Sequence, residues 1–302
     1  MRSSGRIRST LLGTMLAVVV LATGAASVAG AAQTAIRDCG DYTHFRAGHF
    51  PDPLRIDNPL YALTPGTRFV YEGRSNVTGQ VLPHRITLTV SDVTKVVAGV
   101  RSLVAWDVDE NDWQVTESEL AFFAQDRDGN VWTMGEYPEE YDNGRFVGAD
   151  STWISGQAKA QAGVLVPGAP SPGHAGWLQG SAPDIEFLDC AVVNQSDAPI
   201  CSGFGCLDHV TVIDERSPLD PAGGIQEKTY LPGRGLIAIS AIDDPEGETL
   251  VLVETTILDR HQRWRARKQI GKLDQRGHEV SEVYATTPGL KRLWAAKAPA
   301  TG

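Results

Sequence analysis

The stretch His84-Arg85-Ile86-Thr87-Leu88-Thr89-Val90 alternates strictly between apolar and polar side chains. In an extended chain Ile86, Leu88 and Val90 fall on one face, and the two threonines between them fall on the other. A period of two with several β-branched residues is typical of a half-buried antiparallel strand. The fold class follows from similar runs along the rest of the chain.

Further strand-like runs recur at short intervals and are separated by Gly, Pro, Asp and Asn. The segment Asp126-Arg127-Asp128-Gly129-Asn130 predicts a hairpin turn between residues 121–124 and 131–134. No fixed period repeats, and only residues 258–270 have helical character. The other predicted strands are residues 68–72, 100–108, 115–125, 209–214, 225–231, 235–242 and 249–258. The pattern predicts a mainly β protein: an antiparallel curved sheet or partly open barrel, with an irregular N-terminal segment and a short C-terminal helix.

The beginning of the chain has the pattern of a signal peptide. Three arginines precede an uncharged apolar run, residues 11–26, and Ala29-Gly30-Ala31 supplies small residues for cleavage. The run is shorter than the ~20 residues of a spanning helix, so an uncleaved anchor is the weaker alternative. Residues 36–38 lack the small apolar residues of a lipoprotein signal. We therefore expect a secreted, extracellular protein cleaved near Ala31.

Composition divides the remainder into three parts. Residues 32–66 are rich in Pro, Asp and Arg and predict an irregular N-terminal wrap. Residues 67–258 form a single β domain in this interpretation. Its Gly- and Pro-rich middle, residues 150–180, is either a loop packed across the sheet or a boundary between halves. Residues 259–302 form a basic C-terminal tail.

The charge of the chain is unevenly distributed. The 302 residues carry a net charge of −10, and loss of three arginines with the signal peptide leaves −13. Residues 32–259 carry −20, whereas residues 260–302 carry +7. The acidic body excludes nucleic acid as its main partner. The basic residues around Trp264 could bind an anionic cell-surface polymer or a membrane surface, or they could form a solvated helix or fold back on the acidic body.

Four cysteines remain after cleavage: Cys39, Cys190, Cys201 and Cys206. An even number in an exported chain predicts two disulfides, with three possible connectivities. We favour Cys201 with Cys206, which closes a short loop, and Cys39 with Cys190. The spacing holds no Cys-x-x-Cys pair, so a zinc site is disfavoured, and we predict neither a metal nor a cofactor.

Two groups of carboxylates are the candidate chemistry of this sequence. Brought together across a sheet, two of them could act as general acid and base in an extracellular hydrolase. The interpretation we favour is a solvated face or charged edge strands. The first group is Asp107, Asp109, Glu110, Asp112, Glu117 and Glu119, and the second is Glu136, Glu139, Glu140 and Asp142.

The spacing Asp126-x-Asp128-x-Asn130 is similar to the first half of a calcium loop. A complete loop would require glycine at its sixth position and glutamate at its twelfth. Those positions hold Val131 and Tyr137. The simpler interpretation is a tight turn without a metal.

Tryptophan is frequent in the predicted β body. Most of these rings are expected in the core, because large aromatic side chains dominate core energetics. The alternative is that some of them line a cleft for a sugar or lipid. Trp132, Trp153 and Trp177 are our candidates for ligand binding.

Three motifs stand out in the predicted β domain and the segment just before it. The first is Asp57-Asn58-Pro59 with Leu63-Thr64-Pro65-Gly66-Thr67 and Phe69-Val70-Tyr71-Glu72-Gly73. The second is Ala124-Gln125-Asp126 with Gly129-Asn130-Val131-Trp132, and the third is Lys228-Thr229-Tyr230-Leu231-Pro232-Gly233-Arg234-Gly235. These motifs resemble a family of secreted bacterial β-rich proteins, frequent in high-GC genomes, for which no reaction is established. The resemblance covers roughly residues 50–255 and implies one domain.

The chain departs from that family at two places, where Phe122 replaces an acidic residue and Pro183 stands within an Ala-Glu-Asp element. The basic tail lies outside the resemblance. The function we favour is a secreted protein that binds a small apolar or carbohydrate ligand in a concave sheet. The alternatives are the carboxylate hydrolase and a cell-surface adhesin that acts through its tail.

Overall fold

The structure is a computed structural model that describes residues 39–202 and 205–293. The predicted signal peptide, residues 1–31, and the last nine residues lie outside the described residues. Within the described ranges no helix is both long and apolar enough to cross a membrane.

Fifteen antiparallel strands make up most of the described chain, and the predicted fold class is confirmed. Their bounds are β1 Thr67–Val77, β2 Gln80–Val97, β3 Val100–Asn111, β4 Gln114–Gln125, β5 Val131–Asp142, β6 Arg145–Gly148, β7 Trp153–Ile154, β8 Gln161–Val166, β9 Trp177–Ala182, β10 Phe187–Ser202, β11 Gly205–Arg216, β12 Ile225–Leu231, β13 Gly235–Ile242, β14 Thr249–Ile257 and β15 Lys291–Arg292.

Twelve of these strands close into a barrel because β1 pairs with both β2 and β14. The order around the barrel is β1-β14-β13-β12-β11-β10-β9-β8-β5-β4-β3-β2. Strands β6 and β7 pair with β5, and β15 pairs with β2, outside this circuit. The Gly- and Pro-rich middle therefore contributes β7, β8 and β9 to the sheet, and is neither a plain loop nor a boundary between halves.

Alternation along the strands determines what lies inside the barrel. Ile86, Leu88 and Val90 are at most 1% exposed and belong to the main core. Strand β4 is buried on both of its faces, because Phe122 packs against Tyr284 on the outer side. This second covering layer explains why residues 121–124 form a continuous apolar run.

The outer layer is formed by two helices, α1 (Arg260–Val280) and α2 (Glu282–Ala285). Asp259 caps α1 in a capping box with Gln262. The helix extends ten residues beyond the predicted end at residue 270. Its buried seam of Ala266, Ile270 and Leu273 continues to Gly277, where a Cβ atom would lie 2.7 Å from the Tyr284 ring.

Ion pairs connect α1 to the barrel. The Lys95 Nζ atom lies 2.9 Å from Asp274 Oδ1, and the Tyr284 hydroxyl donates to the same oxygen at 2.7 Å. Arg276 binds Glu139, and Arg267 binds Asp92. The first part of the basic tail therefore folds back on the acidic body.

The N-terminal segment, residues 39–66, is irregular apart from a short 3₁₀ helix, Ala47–His49. The Asn58 amide donates to the carbonyl oxygens of Gly129 and Pro167, and Gly233 N–H donates to the carbonyl of Pro59. The segment thus joins the three motifs that carried the family resemblance. Its apolar side chains, including Tyr61, are buried in the main core.

Both disulfides form with the favoured connectivity, Cys39–Cys190 and Cys201–Cys206. The first ties the N-terminal segment to β10, and the second closes the end of the β10–β11 hairpin. Together they fit an oxidising compartment.

Replacing Asp274 by Asn should lower the free energy of unfolding by about 3–5 kcal/mol, because the buried Lys95 ammonium loses its counter-charge. Urea denaturation with the disulfides intact measures this. Glu279→Gln, on the exposed side of α1, should change stability by less than about 0.5 kcal/mol. The double variant Lys95→Met/Asp274→Asn should recover most of the loss, and no recovery would contradict this account of the pair.

Candidate functional site

Carboxylates line one wall of the barrel interior. In the strand register Asp107 lies opposite Glu119, and Asp109 lies opposite Glu117, which in turn lies opposite Glu140. Residues directly opposite on neighbouring strands have Cβ atoms about 4.5–5.5 Å apart. We call Asp107, Asp109, Glu117, Glu119, Glu136 and Glu140 the acidic wall.

These side chains point inward because they share a parity with apolar core residues. Asp107 follows Leu103 and Ala105 at intervals of two, and both of those residues are fully buried. The solvated-face interpretation is wrong for Asp107, Asp109, Glu119, Glu136 and Glu139, which are at most 4% exposed. It holds for Asp112 and Asp142, which are exposed.

Glu139 is buried outside the wall. Its register partner is Ser118, so it lies on the outer face of β5. It accepts hydrogen bonds from the hydroxyls of Tyr137 and Tyr141 and from Arg276. This carboxylate therefore belongs to the attachment of α1.

Burial stabilises the protonated form of the carboxyl groups in the acidic wall. It raises the pKa of Asp107 to about 7, against the opposing effects of the Val108 N–H and the charge of His84. Burial likewise raises the pKa of Glu136 to about 8, although the Trp153 indole and Lys228 oppose the shift. At neutral pH both protonated and ionised forms of these acids are therefore populated.

The pKa values of Glu117 and Glu119 are raised by burial and by the charges of neighbouring carboxylates. Burial raises the pKa of Glu119 well above its usual range, and the charges of Glu136 and Glu117 add to this shift. The pKa of Glu117 is raised in the same way, by burial and then by Asp109 and Asp107. Such a group of like charges must share protons.

Four oxygens of the wall lack a hydrogen-bond donor of good geometry among the described residues. They are both carboxylate oxygens of Asp107 and both of Glu119. A buried acceptor without a donor costs about 1–3 kcal/mol. The wall therefore offers acceptor capacity that the described chain leaves unused.

A second polar group faces the acidic wall across the interior. Lys228 on β12 lies 2.5 Å from a carboxylate oxygen of Glu215 on β11, and Gln179 on β9 donates to the other oxygen at 2.7 Å. Lys228 is fully buried, and its charge lowers the pKa of both Asp107 and Glu136. These effects indicate that the two polar groups occupy one interior.

His84 completes the network near the start of β2. Its Nε2 atom lies 2.9 Å from Glu248 Oε1, and its Nδ1 atom lies 3.0 Å from Asn111 Oδ1 and 3.4 Å from Asp109 Oδ1. Burial alone would lower its pKa, but Asp109 and Glu248 outweigh burial and raise the pKa to about 9. His84 is therefore a buried cation at neutral pH.

Three buried tyrosines lie near these charges: Tyr61, Tyr71 and Tyr230. The Tyr61 ring packs edge-on against Phe123 and Tyr230, at centroid distances of 6.1 and 6.4 Å. Burial raises the pKa of Tyr61, and Asp107, Glu215 and Glu119 add to the shift. Its hydroxyl has no hydrogen-bond partner among the described residues.

The three candidate tryptophans are buried, and each indole N–H has an internal acceptor. Trp132 donates to Asp126, Trp153 to Glu136, and Trp177 to the carbonyl of Val164, each at 2.8 Å. Trp153 thus supports the acidic wall from one side. A direct role of these rings in ligand binding stays a prediction.

The Asp126 carboxylate is used within its own turn. One oxygen accepts the N–H groups of Asp128 and Asn130, and the other accepts Asn130 Nδ2 and the Trp132 indole. The predicted hairpin between β4 and β5 is confirmed. In the described ranges no group of three His, Cys, Asp or Glu side chains is arranged to hold a metal ion.

About half of the polar residues in this interior lie outside the two carboxylate groups that the sequence indicated. Glu215, Glu248, His84 and Lys228 were not among the candidates, and Tyr61 was placed only in an irregular wrap. Lys228 does belong to the third resemblance motif, where it precedes Tyr230 by two residues. The spacing of two residues between Lys228 and Tyr230 could have revealed Lys228 as an interior residue, because it places both side chains on one face of β12.

Comparisons with known proteins find two solved structures of low similarity to this chain. No family model and no curated protein matches the chain. It is similar to a solved protein from Bacteroides fragilis, assigned as exported and with a YmcC-like fold, at 10% identity and a TM-score of 0.32. A second solved structure, assigned as a lipoprotein of Parabacteroides distasonis, has 13% identity and a TM-score of 0.28. Each match covers 65% of this chain and 98% of the other.

The free energy of unfolding should fall as the pH rises from about 4 to 9. The acids of the wall bind protons more tightly in the folded chain, so their contribution is complete below the unfolded pKa near 4. That contribution is lost as the pH rises through about 7 for Asp107 and about 8 for Glu136. His84 acts with the same sign, up to about pH 9.

The variant Asp107→Asn should lose up to about 4 kcal/mol less free energy of unfolding than the wild type as the pH rises from about 4 to 9. At pH 8 it should be more stable than the wild type. Urea titrations at a series of pH values measure the effect. Asp112→Asn is the control, because Asp112 is exposed at the β3–β4 turn and Asn tolerates its positive φ. Parallel profiles for wild type and Asp107→Asn would contradict burial as the source of the shift.

Proposed function

We propose that the chain is a secreted binding protein that holds a small carbohydrate-like ligand inside the barrel, between the acidic wall and Lys228. One observation carries the proposal: among the described residues, the four carboxyl oxygens of Asp107 and Glu119 have no hydrogen-bond donor of good geometry. A ligand with several hydroxyl groups supplies those donors. Export is supported by the two disulfides and by the predicted signal peptide.

The charge state of the wall favours hydroxyl groups over a purely apolar ligand. Carboxyl groups that are partly protonated near neutral pH both donate and accept hydrogen bonds, as hydroxyl groups do. Lys228 and the Tyr61 hydroxyl add donors in the same interior. An apolar ligand would leave the carboxyl oxygens of Asp107 and Glu119 and the Tyr61 hydroxyl without partners, at a cost for each of them.

Entry of a ligand requires a side chain to move, because the four oxygens are closed off from solvent. Tyr61 is suited to this role, since it belongs to the irregular segment and is not fixed in a strand ladder. Its ring lies next to Phe123 and Tyr230. Burial raises the pKa of its hydroxyl, and the nearby charges of Asp107 and Glu119 add to the shift.

Native mass spectrometry of the protein purified from its own culture medium tests the proposal. The wild type should carry an additional mass, and the variant Asp107→Asn/Glu119→Gln should have lost it or bind at least about tenfold more weakly, a loss of about 1.4 kcal/mol. The control variant Glu110→Gln/Asp112→Asn changes the same residue types on the same hairpin. The proposal fails if the wild type carries no mass and no neutral sugar of a panel raises its unfolding temperature.

An extracellular hydrolase is the second candidate, because Asp107 and Glu119 face each other across β3 and β4 and burial raises the pKa of both carboxyl groups. A general acid and a base or nucleophile in glycoside hydrolysis need such a pair, with one raised pKa. A panel of aryl glycosides would show turnover that Asp107→Asn or Glu119→Gln each lowers by about 10²–10⁴-fold. Binding of a glycoside without turnover would contradict the hydrolase and support the binding protein.

A further inference from the structure

The basic residues of α1 divide into two sets with different surroundings. Those on the inner side have partners: Arg267 binds Asp92 and Arg276 binds Glu139 on the barrel, and Arg263 donates to the carbonyl of Leu258, just before α1. The second set, Arg260, Arg265, Lys268 and Lys272, is exposed. We call these four residues the outer basic face.

No acidic residue balances the outer basic face. The sequence from Arg260 to Leu273 contains none, and Asp274 turns inward to Lys95. Within the described part of the chain none of the four cations forms an ion pair. Arg260 also lies in the first turn of α1, where the helix dipole disfavours a positive charge. Helix stability therefore does not explain these charges.

We infer that the outer basic face binds a linear polymer of repeating phosphates on the cell surface. The four cations extend over thirteen residues of helix, and the twelve rises between the first and the last span about 18 Å. Arginine can bind phosphate oxygens through two parallel N–H groups, and lysine adds a point charge. A chain of regularly spaced phosphates laid along the helix can contact all four.

A membrane surface fits this face less well than a polymer does. Helices that lie in a bilayer insert an apolar face, and the apolar face of α1 is buried against the barrel. Trp264 is exposed at 50%, but His261 stacks on it at 5.9 Å, and the Lys268 ammonium lies 5.5 Å from its ring centroid. The ring therefore packs within the cationic face and is not a free anchor.

The body of the protein does not prevent such binding, although it is strongly acidic. At physiological salt, charges are screened over about 8 Å, so a polyanion responds mainly to the nearest groups. The four cations of the outer basic face are exposed, whereas Arg267 and Arg276, which bind Asp92 and Glu139, are partly buried. The surface is thus independent of the barrel interior and of any ligand bound there.

The test compares the full-length secreted protein with the variant Arg260→Gln/Arg265→Gln/Lys268→Gln/Lys272→Gln. Fluorescence anisotropy with labelled poly(glycerol phosphate) measures affinity at several salt concentrations. The wild type should lose affinity with salt at a log–log slope of about −3, and the variant should bind at least about tenfold more weakly. Glutamine keeps the helix propensity, and equal unfolding temperatures would show that both proteins are folded.

A matched control removes four exposed positive charges elsewhere: Arg46→Gln/Arg74→Gln/Arg145→Gln/Lys159→Gln. This control should bind within about twofold of the wild type, because net charge alone does not create the site. An equal loss in both variants would overturn the inference. Stronger binding to phosphatidylglycerol vesicles than to the polymer, abolished by Trp264→Ala, would overturn it in favour of a membrane surface.

Discussion

The rest of the structure depends on the pairing of β1 with both β2 and β14, which closes twelve strands into a ring. Every strand in the ring then has two neighbours, and the backbone needs no covered edge. Closure also separates an inside from an outside along every strand, with a period of two. Asp107 and Glu119 enter the interior because they share the parity of Ala105 and Ala121.

The chemistry of the interior follows from that placement. Carboxylates removed from water and set opposite each other hold protons more tightly, so the acidic wall is only partly charged near neutral pH. Lys228 and His84 supply the buried positive charges of the interior. Lys228 is held by Glu215 on β11, and His84 by Glu248, just before β14, and by Asp109 on β3. The arrangement is an interior with excess acceptors on one side and a cation on the other, which suits a ligand rich in hydroxyl groups.

Much of the fold could be predicted because its signals are local. Alternation at Ile86 and Leu88, and the turn held by Asp126, need only the neighbouring residues. The candidate site could be predicted only in part. The carboxylates of β3, β4 and β5 were visible as a group, but the same alternation fits a solvated face as well as an inner wall. The continuation of α1 past Gly271 also depends on the barrel, which packs against Leu273.

The sequence by itself determined strands β1–β5 and β11–β14, the hairpin turn at Asp126 and the uneven charge, because each rests on residue type and spacing along the chain. The disulfide pairing stayed open among three connectivities until the tertiary structure placed Cys39 beside Cys190. Tertiary structure decided which face of each strand meets water and which cations of the tail find partners. It alone joined Lys228, His84 and Tyr61 to the acidic wall, since strands far apart in sequence become neighbours only when the ring closes. Burial then follows from the position of a strand in the barrel, whereas local polarity had indicated the solvent side.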